Sequence, residues 1–268
     1  MKLLDVRKIW DRAPHNAFTD LIRFEDRWYC AFREGQGHVS ADGVGRILVS
    51  DNGEQWESTA VLQAEGDVRD PKLCITPDGR LMSVTAAALY RRQPEQTYPN
   101  RDPHQSLAWF SNDGVCWDGP VEIGELNWWL WRVTWHRGIA YGVGREPYIR
   151  IPRLYRSTDG LRFEPWVEWL FGADSELRGS EASLLFLPDD RAVCLIRGQN
   201  GPALVGRAEP PYQRWDWQAL PVNIGGPQLV QLPDGRIVVG GRNWGDTVEM
   251  YLWWLDADGR LEPIMVLP

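Results

Sequence analysis

Four arginines carry the first chemical suggestion in this sequence. The chain repeats a hairpin, and alignment on the tight turns puts Arg33, Arg145, Arg197 and Arg242 each sixteen residues after a counterpart: Ala17, Trp129, Glu181 and Gly226. The remaining hairpin sets Asp70 against Ala86 in the same column. Guanidiniums gathered at one end of several hairpins make a fork-shaped receptor for an anion, most naturally a carboxylate. Arg69, one residue before Asp70, and Arg132, three after Trp129, extend the set. A single arginine after a strand is usually a solvated cap. The alternative for all four is structural ion pairing with Glu34, Glu146, Asp70 and Glu181, but four in register within an acidic chain favour the anion site.

The same end of the hairpins carries carboxylates: Asp70, Glu181, Glu34, Glu146, and Asp42 in the loop "GQGHVSADGVG". Glycoside cleavage uses two carboxyl groups, or a tyrosine nucleophile served by a glutamate. Glu181, Asp42 and Asp70 are the catalytic candidates. Arg33, Arg145, Arg197, Arg242 and Arg69 are the substrate-binding ones, joined by His38 and His15. The Asp42 loop lies between glycines, as a mobile pocket wall or a plain surface loop would. His15, in "PHNAF", precedes the first strand, where a capping or core role is as well supported as a catalytic one. His15, His38, His104 and His136 form no pair with metal-ligand spacing, so neither a metal nor another cofactor is expected.

Positioning these groups falls to strands. Long helical periodicity is absent. "LCITPDGRLMSV", "LLFLPDDRAVCLI" and "LVQLPDGRIVVGG" each read as two strands joined by a tight turn, and "LIRFEDRWYCAF" and "VTWHRGIAYGV" fit with weaker turns. A second hairpin follows each. In three repeats it carries a box: "SDNGEQW", "SNDGVCW", "STDGLRF". There the Asp or Asn can bond turn N–H groups, Gly takes positive φ, and the aromatic folds back onto the sheet. The box is therefore read as a hairpin clamp. The unit is four strands, repeated five times, at approximately 14–62, 68–124, 129–170, 180–220 and 225–267. This is an all-β fold, a β-propeller of four-stranded antiparallel blades forming a single domain over 1–268. The segments 89–105 and 144–152 are the conspicuous insertions.

Bulk properties narrow the partners. A net charge of −8 argues against nucleic acid. No apolar run is long enough to span a membrane, and the start "MKLLDVRKIW" has no signal-peptide pattern. A cytoplasmic chain is expected, although a trimmed secreted chain reads the same. The four cysteines show no CxxC spacing and read as buried free thiols rather than disulfides or metal ligands. Sixteen tryptophans suit packed sheets or stacking platforms for sugar rings.

The boxes "SNDGVCW" and "STDGLRF" resemble the Asp-boxes of the sialidase (neuraminidase) superfamily. "SEASLLFLPDDRAVCLIR" is similar to that family's pattern in which a Glu opens a strand and an Arg closes the hairpin. "GGPQLVQLPDGRIVVGGR" is similar to the segment bearing its last triad arginine. The resemblance covers essentially the whole chain. It implies a sialidase-like, six-bladed family with five blades in this chain, and an exo-acting glycoside hydrolase on a carboxylated, sialic-acid-type sugar in an arginine-lined central pocket. Arg197 and Arg242 would then hold the carboxylate. Glu181 would assist a tyrosine nucleophile, and Asp42 would occupy the acid/base position. Two departures qualify it. The family's Arg-Ile-Pro motif is replaced by "HNAFTDL", with Asn16 near the arginine position and Arg33 as a substitute. The nucleophile expected beyond the fifth blade is missing before "MVLP", and Tyr251 comes too early. The alternatives are a non-catalytic glycan-binding propeller and a scaffold with structural arginines. An acidic sugar or glycan is the expected partner, with self-association through open propeller edges.

Overall fold

The computed structural model describes residues 2–89, 103–146, 150–245 and 247–268. Of the two expected insertions, 89–105 lies outside these residues over 90–102, and 144–152 over 147–149. The strands follow in chain order. The first sheet is β1 (His15–Phe24), β2 (Arg27–Gly35), β3 (Val44–Ser50) and β4 (Glu57–Leu62); the second is β5 (Asp67–Ile75), β6 (Leu81–Ala88), β7 (His104–Ser111) and β8 (Asp118–Ile123). The third is β9 (Trp129–His136), β10 (Ile139–Arg145), β11 (Pro152–Ser157) and β12 (Glu164–Val167). The fourth is β13 (Gly179–Phe186), β14 (Ala192–Gly198), β15 (Leu204–Ala208) and β16 (Asp216–Ala219). The fifth is β17 (Ile224–Gln231), β18 (Ile237–Trp244), β19 (Val248–Leu255) and β20 (Leu261–Leu267). Within each sheet the strands are neighbours in chain order.

The chain divides into two compact units. One comprises Arg7–Ala140 and Arg156–Glu164, the other Met1–Val6, Tyr141–Tyr155 and Pro165–Pro268. Each has its own core of alternating inward residues. In the first, Tyr29, Ile47, Val68, Leu81 and Trp109 pack together; in the second, Leu195, Val205, Ile224, Val239 and Trp253 do. Fully burying each such side chain contributes roughly 1.5–3 kcal/mol.

The boxes act as clamps. Asp113 Oδ1 accepts hydrogen bonds from the N–H groups of Val115 and Cys116, both at 2.8 Å, and Gly114 N donates to Ser111 Oγ at 2.8 Å. Gly114 has φ +70, and a Cβ there would strike the Tyr29 ring at 2.2 Å. Asp159 repeats the arrangement with Leu161 and Arg162, and Asn52 with Glu54 and Gln55.

The feature that shapes the site is a recurrent bulge. The first strand of four sheets slips against its partner at one place: between Ala17 and Asp20, Arg69 and Lys72, Gly179 and Ala182, and Gly225 and Gln228. In each, two residues oppose one on the partner strand: Phe18–Thr19, Asp70–Pro71, Ser180–Glu181 and Gly226–Pro227. Three of these pairs include a positive φ: Phe18 at 65°, Asp70 at 51° and Gly226 at 60°. Bulges re-aim side chains and are common next to functional sites.

Candidate functional site

In the unit containing the fourth and fifth sheets, Glu181 stands in the β13 bulge. Its Oε1 accepts a hydrogen bond from Arg197 Nη1 at 2.7 Å, and its Oε2 accepts one from the Gly226 N–H at 2.5 Å. The carboxylate side chain is 13% exposed. Two charge-assisted hydrogen bonds to separate oxygens fix its orientation. Gly226 can offer its N–H because its φ of +60 turns that group toward Glu181, a conformation glycine adopts at no steric cost.

Trp244 lies beside this pair at the end of β18. The guanidinium carbons of Arg197 and Arg242 each lie 5.1 Å from its ring centre. The indole is held close to the backbone, for a Cβ on Gly225 would come within 2.3 Å of its Nε1. Trp244 nevertheless stays 38% exposed, whereas Trp109, Trp129, Trp131 and Trp253 are all buried. A partly open indole beside a fixed carboxylate and two guanidiniums can stack a sugar ring and hydrogen-bond its hydroxyls. Arg145 ends β10 in the same unit and is half-buried.

In the other unit Arg33 is fully buried. Its Nε donates to Asp67 Oδ1 at 2.6 Å, its Nη1 to the Gly37 carbonyl at 2.8 Å, and its Nη2 to the Ser40 carbonyl and hydroxyl at 3.2 and 3.0 Å. Asp67 is equally buried, and its Oδ2 accepts from Arg69 at 3.0 Å. Arg69 also donates to the His38 carbonyl at 3.0 Å. This network anchors the loop from Gln36 to Gly43, and Gly43 is required because a Cβ would overlap Asp67 Oδ1.

Beside the network, His15, Phe18 and His38 form an edge-to-face trio with ring centres 5.2 to 6.2 Å apart. Arg69 lies 5.4 Å over Phe18. Asp70 is 3% exposed in the β5 bulge. Asp20 grips Arg132 through both oxygens, at 2.8 and 3.0 Å, and accepts the Leu73 N–H at 2.7 Å.

Several expectations therefore change. Arg33 is enclosed and committed to Asp67, so it presents no guanidinium to a ligand. Arg197 is neutralised by Glu181, and Arg132 by Asp20. Within the column, Arg33 and Arg197 are therefore ion-paired rather than bare cations. Asp42 is an exposed loop clamp: its oxygens accept the Gln36 N–H at 3.0 and 3.3 Å. The Ser40 hydroxyl, with smaller help from backbone N–H groups and Arg33, keeps its carboxyl below the ordinary range. Glu34 serves Trp10 and Arg46 instead. His15 and His38 do come together. Trp244, Asp67, Asp20 and Phe18 escaped the sequence reading. Trp244 had a signal, for it stands two residues after Arg242 in "GRNW". Among the described residues no three His, Cys, Asp or Glu side chains group to hold a metal, and no helix is long and apolar enough to cross a membrane.

No family model and no curated protein matches the chain. Solved structures do. A Dyadobacter fermentans protein of unknown function is 18% identical, with 95% of this chain and 83% of that one covered and a TM-score of 0.79. A Penicillium chrysogenum α-L-arabinanase complexed with arabinobiose is 14% identical, covering 94% and 81%, with a TM-score of 0.71. A Fusarium graminearum α-L-arabinofuranosidase in complex with an iminosugar inhibitor is 14% identical, covering 93% and 80%, with a TM-score of 0.70. These likenesses overturn the sialidase-like reading and its carboxylated sugar, since two of these three proteins are an α-L-arabinanase and an α-L-arabinofuranosidase. The likenesses do not confirm the six-bladed family label. What stands is the fold: an all-β, five-bladed propeller of four-stranded antiparallel blades.

Proposed function

We propose that the chain is a glycoside hydrolase acting on a neutral sugar, with an α-L-arabinofuranoside as the first substrate to try. The observation that carries this reading is Glu181, a shielded carboxylate fixed by Arg197 and the Gly226 N–H beside the partly exposed Trp244. The arabinose-directed activities of two proteins with this fold support the choice of sugar.

A carboxylate whose two oxygens are held in place suits a nucleophile or a base in glycoside cleavage, where charge builds on the anomeric carbon in an oxocarbenium-like transition state. Arg197 orients it. Trp244 supplies the apolar face for the ring, and Arg242 a donor for its hydroxyls. Asp70 stands in the corresponding first-strand bulge of β5, in the other unit.

The test is turnover of a panel of aryl glycosides: α-L-arabinofuranoside, β-xyloside and β-galactoside. Wild-type protein is expected to release the aryl group from at least one. Glu181→Gln keeps shape and removes charge, and should lower kcat by about 10³-fold, within the 10²–10⁴ span of a proton-transfer group. Saturable sugar binding with no turnover by the wild type would overturn the hydrolase reading.

A further inference from the structure

The unit that holds Glu181 has a concavity at the other end of its blades. Glu181 opens β13, and Leu187 follows its last residue. Six residues at about 3.3 Å each separate the two positions by roughly 20 Å. Around Leu187 lies a cleft of about 1390 Å³, built from the turn after β13, the connection between β15 and β16, and the turns after β17 and β19. A pocket for one small ligand measures about 300–1,000 Å³. This cleft accommodates something longer.

Its charged groups fall into two sets. Arg191 and Arg236 are tied to Asp189 and Asp234 within their own turns, and Arg236 lies 4.2 Å over Trp254. Arg207 and Arg214 also line the cleft but form no ion pair among the described residues, and the same is true of Glu209, Asp216, Asp256 and Glu262. An acidic ligand would meet those carboxylates, and a basic one those guanidiniums. Vicinal hydroxyls, which donate and accept at once, satisfy both, and planar guanidinium and carboxylate groups match them two at a time. The side-chain amide of Gln213 adds one more such group. Trp254, Leu187 and Pro210 supply apolar surface for the C–H faces of sugar rings.

We propose that this cleft is a second binding site, distinct from Glu181, that takes a neutral oligosaccharide segment several residues long and anchors a polymer to the enzyme. The proposal rests on the neutral-sugar reading only for the choice of polymer.

Electrophoresis of the native protein through gels containing arabinan, xylan or galactan tests it without reference to catalysis. At least one polymer should retard the wild type. Arg207→Ala/Arg214→Ala should lose at least five-fold in apparent affinity while keeping its turnover of an aryl arabinofuranoside, which is too small to need the cleft. Arg214 is exposed, so the single variant Arg214→Glu gives the same reading should the double variant fold poorly. Equal retardation of wild type and variants, or no retardation in any of the three gels, would overturn the proposal. Loss of aryl-glycoside turnover in the wild type bears instead on the Glu181 reading, so the two failures are told apart.

Discussion

At the residue level carboxylates are held by arginines, and the pairings of Arg33 with Asp67 and of Arg132 with Asp20 join distant parts of the chain. Arg33 and Asp67 are 34 residues apart and both fully buried. Removing one member of a buried pair strands the other charge, which costs about 3–5 kcal/mol. Arg33→Met should therefore lower stability by that order in a denaturant titration, and the Gln36–Gly43 loop should become protease-sensitive. A variant as stable as wild type would show that Arg69, the other partner of Asp67, is enough to hold it. The arginine column was legible because turn spacing set its register. Its partners were not, because only the folded sheets bring Asp67 to Arg33 and Asp20 to Arg132. Glu181 with Arg197 was legible because both belong to one hairpin.

At the element level two devices repeat: the box turn and the first-strand bulge. The box was legible, since its Ser, Asp and Gly act within a few residues of one another. Its electrostatics give a pH prediction. Hydrogen bonds from the N–H groups of Cys116 and Val115 hold the Asp113 carboxyl below its ordinary range, and Arg162 and Leu161 do the same for Asp159. A carboxyl with a depressed folded pKa stabilises the fold above its unfolded value, near 3.9, and that contribution is lost as pH falls through the folded pKa. Asn52 makes the same turn with an amide. Asp113→Asn/Asp159→Asn should thus fold normally at pH 7 and show a flatter decline of Tm below pH 4 than wild type. An unchanged acid limb would refute the clamp's electrostatic role. The bulges were not legible, because two of their positive-φ positions are Phe18 and Asp70 rather than glycine. At Gly226 the space is open but φ is +60, so Gly226→Ala should cost about 1–2 kcal/mol through backbone strain alone, measured by thermal unfolding.

At the level of the whole molecule, five repeats of a four-stranded unit could be read directly, since tight turns and alternating strands recur through the chain. The resemblance in the box segments pointed to a propeller and then went too far, because a turn motif specifies a hairpin and leaves the substrate undetermined. The cysteines report on the packing as a whole. Burial pushes the Cys30 and Cys74 thiols up to about 12 and raises Cys194 as well, whereas Cys116 is exposed. A thiol reagent should label Cys116 in the native protein, and Cys30 and Cys194 only after unfolding. Rapid native labelling of Cys194 would contradict the core described here. The most direct test of the central claim is the initial rate of aryl α-L-arabinofuranoside hydrolysis by wild type and Glu181→Gln, measured side by side. The account predicts release by the wild type and a loss of about 10³-fold in the variant. Equal rates in the two proteins would contradict it.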